Sequence, residues 1–279
     1  MIVKMICTDL DGTLLRSDKT VSNYSLGVLK RASEKGITVV PVTGRHLKGI
    51  PQSILDQGVR YAICSNGAGL YDAVSGTMLK EECIPPHIMN ELVDVFPELD
   101  VMSDLFTSEN AYTDMRSLDV LKDVDASEPV KAYIRSSRKI TAGIGEFYRT
   151  SDPKVEKITV NFRKIDGEFK NRDRLLSILA KYDDELVYVT GGANNIEITS
   201  RKATKGKCIT ALSEVTGIPL SEIAALGDTE NDLSILKTVG ISVAMLNADS
   251  NVKELCRFIT GYDNDSDGAA KFIEKILDQ

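Results

Sequence analysis

The sequence predicts an α/β protein whose mostly parallel sheet is interrupted by an inserted α+β domain. Short apolar runs alternate with helical patterns near the start of the chain, and the same style returns near its end. Between them, paired strand patterns mix with helices. Buried strands separated by helices need right-handed crossovers, and these produce a parallel sheet.

The first elements follow in order. Residues 3–8 form a short apolar run stopped by acidic residues and Gly12, which reads as a buried strand. Ser22 can cap a helix whose apolar positions Leu26, Val28, Leu29 and Ala32 lead to a stop at Gly36. Residues 37–42 are a second apolar run rich in β-branched residues. Residues 47–57 read as helical despite Pro51, and Tyr61–Cys64 as a third strand. A hairpin follows, with a turn at Ser75-Gly76.

In the later part, residues 195–199, 223–226, 241–244 and 258–260 read as strands. Residues 205–215, 232–237, 250–256 and 269–277 read as helices. In the middle, Pro85-Pro86 breaks the chain before a helix at residues 87–96. Residues 157–162 alternate like a half-buried strand, residues 169–182 read as helix and residues 186–190 as strand. The expected borders fall near Pro85 and at Gly191-Gly192. That assigns residues 1–84 and 192–279 to the core and residues 85–191 to the insert, a plausible domain size.

Composition narrows the function. Of 279 residues 42% are hydrophobic, enough for a substantial core, and no apolar run approaches the ~18 residues of a membrane helix. The first residues are too soon acidic for a secretory signal, so a cytoplasmic location is expected. A formal net charge of -7 disfavours nucleic acid as a bulk partner. Five cysteines without a CxxC pair argue for reduced, mostly buried thiols, and two distant histidines argue against a His-based metal site. His46 is expected on a helix surface. Tyr112, Tyr133 and Tyr148 are expected to be packing residues.

Four segments carry chemistry, each placed at the carboxyl end of an expected strand, where open α/β sheets bind ligands. Asp9-Leu10-Asp11-Gly12-Thr13 sends two carboxylates out on one side of the sheet, where they repel unless a cation or proton lies between them. An acidic turn after a strand is the bland alternative. Thr43-Gly44, followed by Arg45, offers a hydroxyl and backbone N–H groups as an anion cradle, although such turns are common. Lys205-Gly206 opens a helix, and its ammonium could neutralise a phosphate; most lone lysines are only solvated surface charges. Asp228 in Gly227-Asp228-Thr229-Glu230-Asn231-Asp232 could complete an oxygen-ligand site suited to Mg²⁺, or the segment could be an acidic helix cap.

Taken in order, DLDGT, VTGR, SNGA at residues 65–68, KG and GDTEND resemble the haloacid-dehalogenase superfamily, and within it the Cof-type phosphatases with a type IIB cap. Val243-Ala244-Met245, Asn247-Ala248, Val252-Lys253 and Asp267-Gly268 extend the resemblance. Leu246 stands where the family usually has Gly, and the segment between Thr260 and Asp267 is one residue longer than usual. The middle resembles the family cap only in length, position and style. The resemblance implies a Rossmann-like parallel-sheet core with an inserted α+β cap. It also implies a Mg²⁺-dependent phosphatase acting on a small phosphorylated metabolite, sugar phosphates being the first class to try, as monomer or homodimer.

Carried across, the resemblance makes Asp9 the nucleophile, forming an aspartyl phosphate, and Asp11 the general acid and base. Mg²⁺ would be held by the Asp9 carboxylate, the Asp11 carbonyl and Asp228, with Asp232 supporting it through water. Leu10 and Gly44 (through backbone N–H groups), Thr43, Lys205 and Asn231 would hold phosphate oxygens. A dehalogenase would need neither Asp11 as acid nor Asp228. A phosphomutase would share the core, and a non-catalytic phospho-ligand binding protein is the alternative of a different class.

Overall fold

The computed structural model describes residues 2–189 and 195–278. They fall into two compact units, Met1–Glu81 with Thr204–Gln279, and Glu82–Ala203.

The first unit is built on a five-stranded parallel sheet. Its order is Phe258–Ile259, Ile241–Ala244, Ile223–Gly227, Met5–Thr8 and Thr38–Pro41. The two central strands, Met5–Thr8 and Ile223–Gly227, are buried along their whole length, as continuous apolar runs require. Tyr61–Cys64 does not extend this ladder as the sequence suggested. It joins the hairpin Gly69–Asp72 and Thr77–Glu81 in a three-stranded antiparallel sheet, linked to the second strand by a single bridge from Val42 to Ile63. Ser22 caps the helix Asn23–Glu34 by accepting from the Ser25 N–H. The expected helix at residues 47–57 is only a 3₁₀ turn, Leu47–Gly49, and a single helical turn, Gln52–Leu55, separated by Pro51. Proline disrupts the preceding turn and cannot donate, which divides the segment.

Register then positions chemistry. Thr8 pairs with Leu226 across the central strands, and the Asp9 N–H donates to the Leu226 carbonyl at 3.0 Å. The chains leaving these two strands therefore deliver Asp9 and Asp228 side by side. Behind them, helix Lys205–Thr216 approaches helix Leu233–Thr238 closely at Gly206, where a Cβ would lie 2.5 Å from the Ser234 carbonyl oxygen.

The second unit carries a six-stranded sheet in the order Leu186–Val189, Asn195–Ser200, Lys157–Asn161, Met102–Phe106, Ala111–Asp114 and Arg138–Thr141. All its neighbours are antiparallel except the last pair. Pro86–Glu98, Ile144–Ser151 and Arg172–Leu179 pack against Leu105, Ile158, Val160, Ile196 and Ile198 on one face. Strand Asn195–Ser200, expected in the parallel sheet, thus belongs to this unit. Its alternation of Ile196 and Ile198 with Asn195, Glu197 and Thr199 is the pattern of an antiparallel strand, not of one buried on both faces by helices. The expected border at Gly191-Gly192 lies outside the described residues. Lys157–Asn161, expected to be half-buried, is buried at every position. Helices Met115–Val120, Glu128–Ser137 and Ile144–Ser151 had no counterpart in the sequence reading. Tyr148 is a core residue here, Tyr112 stacks on Phe147, and Tyr133 packs beside the cluster around Met102. Among the described residues no helix is long and apolar enough to cross a membrane.

Gly206→Ala should be overpacked against Ser234 and Thr238. We expect a loss of about 1–3 kcal/mol, read as a lower Tm in thermal unfolding. An unchanged Tm would mean that this helix contact yields easily.

Candidate active site

The centre of the site is a buried ammonium between carboxylates. Lys205 Nζ donates to Asp9 Oδ1 at 2.8 Å and to Asp232 Oδ1 at 2.6 Å, and the Lys205 side chain has no exposed surface. Thr204 caps its helix by accepting from the Lys207 N–H, which fixes where Lys205 starts. Asp232 is held in turn, because its Oδ2 accepts from the Asp228 N–H at 2.9 Å and the Thr229 N–H at 3.3 Å. Asp228 Oδ1 accepts from the Thr13 hydroxyl at 2.9 Å.

Asp9, Asp228 and Asp232 each offer a carboxylate oxygen within 4.8 Å of the others, and all three are buried. One lysine cannot neutralise three carboxylates. Burial, followed by the negative charges of Asp232 and Asp228, therefore pushes the Asp9 carboxyl well above its ordinary range, against the opposing pull of Lys205. Burial and the charge of Asp232 raise Asp228 to about 7. Burial alone would lower the Lys205 ammonium, but Asp232 and Asp9 overcome it and push the group up. Gly12 keeps the space clear. At φ +85° it takes a backbone conformation that suits glycine, and a Cβ there would lie 2.2 Å from Asp228 Oδ2. Three hard oxygen donors with excess negative charge fit a small divalent cation.

Asp11 stands apart from this cluster. Its carboxylate is gripped in a fork by Arg45, with Nε to Oδ2 at 2.7 Å and a terminal nitrogen to Oδ1 at 2.8 Å, and Lys19 Nζ adds a contact at 2.9 Å. Burial would raise this carboxyl, yet Arg45 and Lys19 hold it well below the usual range. The expected repulsion between Asp9 and Asp11 is thus relieved by cations of the chain itself. Arg45 is the residue that sequence reasoning quoted without giving it a role. Its position two residues after Thr43 was the available signal.

The remaining candidates are distributed around these groups. Thr43 is buried, and its Oγ1 accepts from the Arg45 N–H at 3.1 Å, which leaves the hydroxyl proton to donate elsewhere. The side chain of Leu10 is core, so only its backbone is available for chemistry. Gly44 is partly exposed. Asn231 donates to Asn66 Oδ1 at 3.3 Å and accepts from the Thr229 hydroxyl at 3.0 Å. Asn66 was not anticipated as a contributor. It and Ser65 adopt φ values of +58° and +50°, a conformation rare outside glycine and typical of functional turns. His46, expected on a surface, is buried because it lies in the extended stretch before the 3₁₀ turn and not on a helix.

Comparison with known proteins identifies the family. A family model for haloacid dehalogenase-like hydrolases matches residues 6–273. The phosphatase YwpJ of Bacillus subtilis is 30% identical, covering 99% of this chain and all of its own. The chain belongs to the haloacid dehalogenase-like hydrolases. The 5-amino-6-(5-phospho-D-ribitylamino)uracil phosphatase YwtE of Bacillus subtilis is 27% identical, over 99% of this chain and 98% of its own. Among solved structures, a haloacid dehalogenase-like hydrolase from B. subtilis superposes with a TM-score of 0.83 at 28% identity, covering 98% and 99% of the two chains. A subclass IIB sugar phosphatase shares the fold, with a TM-score of 0.77 at 20% identity over 98% and 99% of the chains.

Within this haloacid dehalogenase-like fold, Asn247 and Asn264 brace the loop that follows the first strand. Asn247 Nδ2 donates to the Gly12 carbonyl at 2.8 Å and its Oδ1 accepts from the Asn264 N–H, while Asn264 Nδ2 donates to the Leu15 carbonyl at 3.1 Å. Leu246 is exposed, and its N–H donates to the Thr260 hydroxyl at 2.9 Å.

The raised Asp228 carboxyl makes a pH prediction. A folded-state value of about 7 against an ordinary 3.8 means that the folded chain holds the extra proton between those values. Metal-free stability should therefore fall as pH rises from about 4 through about 7. Thermal melts of chelated protein across this range should show the fall, and Asp228→Asn should flatten it. A wild-type Tm that rises over this window would contradict the electrostatics described here.

Proposed function

We propose that this chain is a Mg²⁺-dependent phosphatase that hydrolyses small phosphorylated metabolites, sugar phosphates foremost, through an aspartyl phosphate on Asp9. The observation that carries this reading is the buried trio Asp9, Asp228 and Asp232 around Lys205 at the carboxyl end of the parallel sheet. Its relatives named above are phosphatases, one of them acting on a ribityl phosphate.

Asp9 attacks phosphorus as the ester P–O bond breaks, which divides one difficult displacement into two. Lys205, already fixed beside Asp9, offsets charge on the phosphoryl oxygens. The Thr43 hydroxyl, the backbone N–H groups of Leu10 and Gly44, and Asn231, braced by Asn66, hold those oxygens. Mg²⁺ held by Asp9, Asp228 and the Asp11 carbonyl, with Asp232 behind, would lower the repulsion between the incoming dianion and the carboxylates.

Asp11 first protonates the leaving oxygen, then takes a proton from the water that cleaves the aspartyl phosphate. At rest it is a carboxylate clamped by Arg45 and Lys19. It must therefore loosen that clamp and gain a proton before it can act. A substrate dianion that draws Arg45 toward itself promotes both. Residues 82–203 serve as the cap that selects the leaving group.

Three outcomes are expected. Asp9→Asn should abolish turnover and leave the fold intact; substantial hydrolysis by this variant would overturn the covalent route. EDTA should stop activity, and Mg²⁺ should restore it better than Ca²⁺, whose longer and more numerous bonds loosen the in-line arrangement. Asp11→Asn should slow an alkyl phosphate by about 10²-fold or more, and p-nitrophenyl phosphate much less, because nitrophenolate leaves without help. Equal losses on both esters would remove Asp11 from the acid role.

A further inference from the structure

Side chains of a β-strand alternate between faces, and in strand Met102–Phe106 Leu105 lies on the face that helices cover. Ser103, two residues earlier, shares that face. Here the helices do not close over the sheet. Between the end of Pro86–Glu98 and the start of Ile144–Ser151 lies a cavity of about 360 Å³, large enough for a small metabolite. Val93, Phe96 and Ile144 give it an apolar wall, and every residue around it belongs to the second unit.

The polar part of the wall is incompletely paired. Ser103 is at 0% exposure, yet its Oγ has no hydrogen-bond partner among the described residues. Arg116 Nη1 donates to the Val101 carbonyl at 2.9 Å, but its Nε is buried without a partner and its guanidinium makes no ion pair among the described residues. The helix start adds donors. Asp114 accepts the Ile144 N–H on Oδ2 at 3.2 Å and the Ser117 N–H on Oδ1 at 2.7 Å. The N–H groups of Gly145 and Glu146, next in that first turn, fall outside the helix's own ladder and meet no other partner among the described residues. Buried polar atoms left unpaired are costly and rare, so Ser103 Oγ and Arg116 Nε at one cavity point to a ligand.

Charge narrows its chemistry. Arg149 pairs with Asp94 at the rim, and both Asp114 oxygens are engaged by backbone N–H groups. That leaves the Arg116 guanidinium and the exposed Glu146 carboxylate without counter-ions among the described residues. A ligand with two negative charges would be repelled by Asp114 and Glu146, and an uncharged one would leave both unmatched ions as they are. We propose that this cavity binds a free α-amino acid with an apolar side chain. Its carboxylate meets Arg116 Nε, the Ser103 hydroxyl and the first-turn N–H groups, where the helix dipole also favours negative charge. Its ammonium faces Glu146 and Asp114, and its side chain lies on Val93 and Phe96. The inference does not depend on the phosphatase reading.

The test follows backbone N–H signals of the full chain by ¹H–¹⁵N NMR during titration with L-leucine, its 2-oxo acid, its methyl ester and inorganic phosphate. L-Leucine should shift Gly145 and Glu146 saturably, and each analogue that lacks one of the two charges should bind about tenfold more weakly or worse. Arg116→Gln should lose most of the affinity, but Arg116 also holds the Val101 carbonyl, so two further variants guard against a folding defect. Glu146→Gln alters only an exposed side chain, and Ser103→Ala should keep or raise Tm because it removes an unpaired buried hydroxyl. Each should weaken L-leucine by about three- to tenfold. No saturable shift of Gly145 and Glu146, equal binding of the oxo acid or the ester, tighter binding of phosphate, or unchanged affinity in both variants would each overturn the proposal.

Discussion

The first unit depends on burying Lys205 between Asp9 and Asp232. A buried ammonium is tolerable only with close anionic partners, and two carboxylates so near each other are tolerable only with a cation between them. Each element around the site serves that arrangement. The central register sets Asp9 beside Asp228, the Thr204 cap fixes the start of the lysine helix, and Gly206 lets that helix approach helix Leu233–Thr238. The capping box of Thr229 and Asp232 does double duty, ending one strand's loop while aiming a carboxylate at Lys205.

The two units use their sheets differently. In the first, both faces of the central strands are apolar, and chemistry is confined to the strand ends. In the second, antiparallel strands leave one face apolar under helices, while the other mixes buried polar residues such as Asp104 and Thr159 with Phe106 and with Met102, which packs against Val120, Leu121 and Ile134. Chemistry common to all phosphate esters suits strand ends locked by register.

How much was legible in the sequence follows from the same contrast. Continuous apolar runs bounded by Asp-Gly and Thr-Gly turns marked the strands of the parallel sheet, and the motifs at their ends brought together Asp9, Lys205, Asp228 and Asp232. Asn195–Ser200 was assigned to the wrong sheet because a five-residue alternation does not say which partner it will meet. Lys157–Asn161 looked half-exposed for the same reason: its polar residues are paired across strands, which only long-range register reveals. The clamp of Arg45 and Lys19 on Asp11 was likewise hidden, since it joins residues from separate segments through side-chain reach.

Those clamping residues change how the site must be understood. Around the reacting centre lie four carboxylates, Asp9, Asp11, Asp228 and Asp232, against three cations, Lys205, Arg45 and Lys19. Such a site is anionic before any substrate arrives, and a phosphate monoester brings roughly two further negative charges at neutral pH. Without added positive charge the chain can relieve the excess only by protonation, as the raised Asp9 and Asp228 carboxyls indicate. A proton on Asp9 would silence it as a nucleophile. A divalent cation would relieve the same excess and leave Asp9 ionised, so protons and such a cation would compete for one buried set of oxygens. On this electrostatic argument, a divalent cation held here would govern admission of a phosphate ester as much as any chemistry that followed.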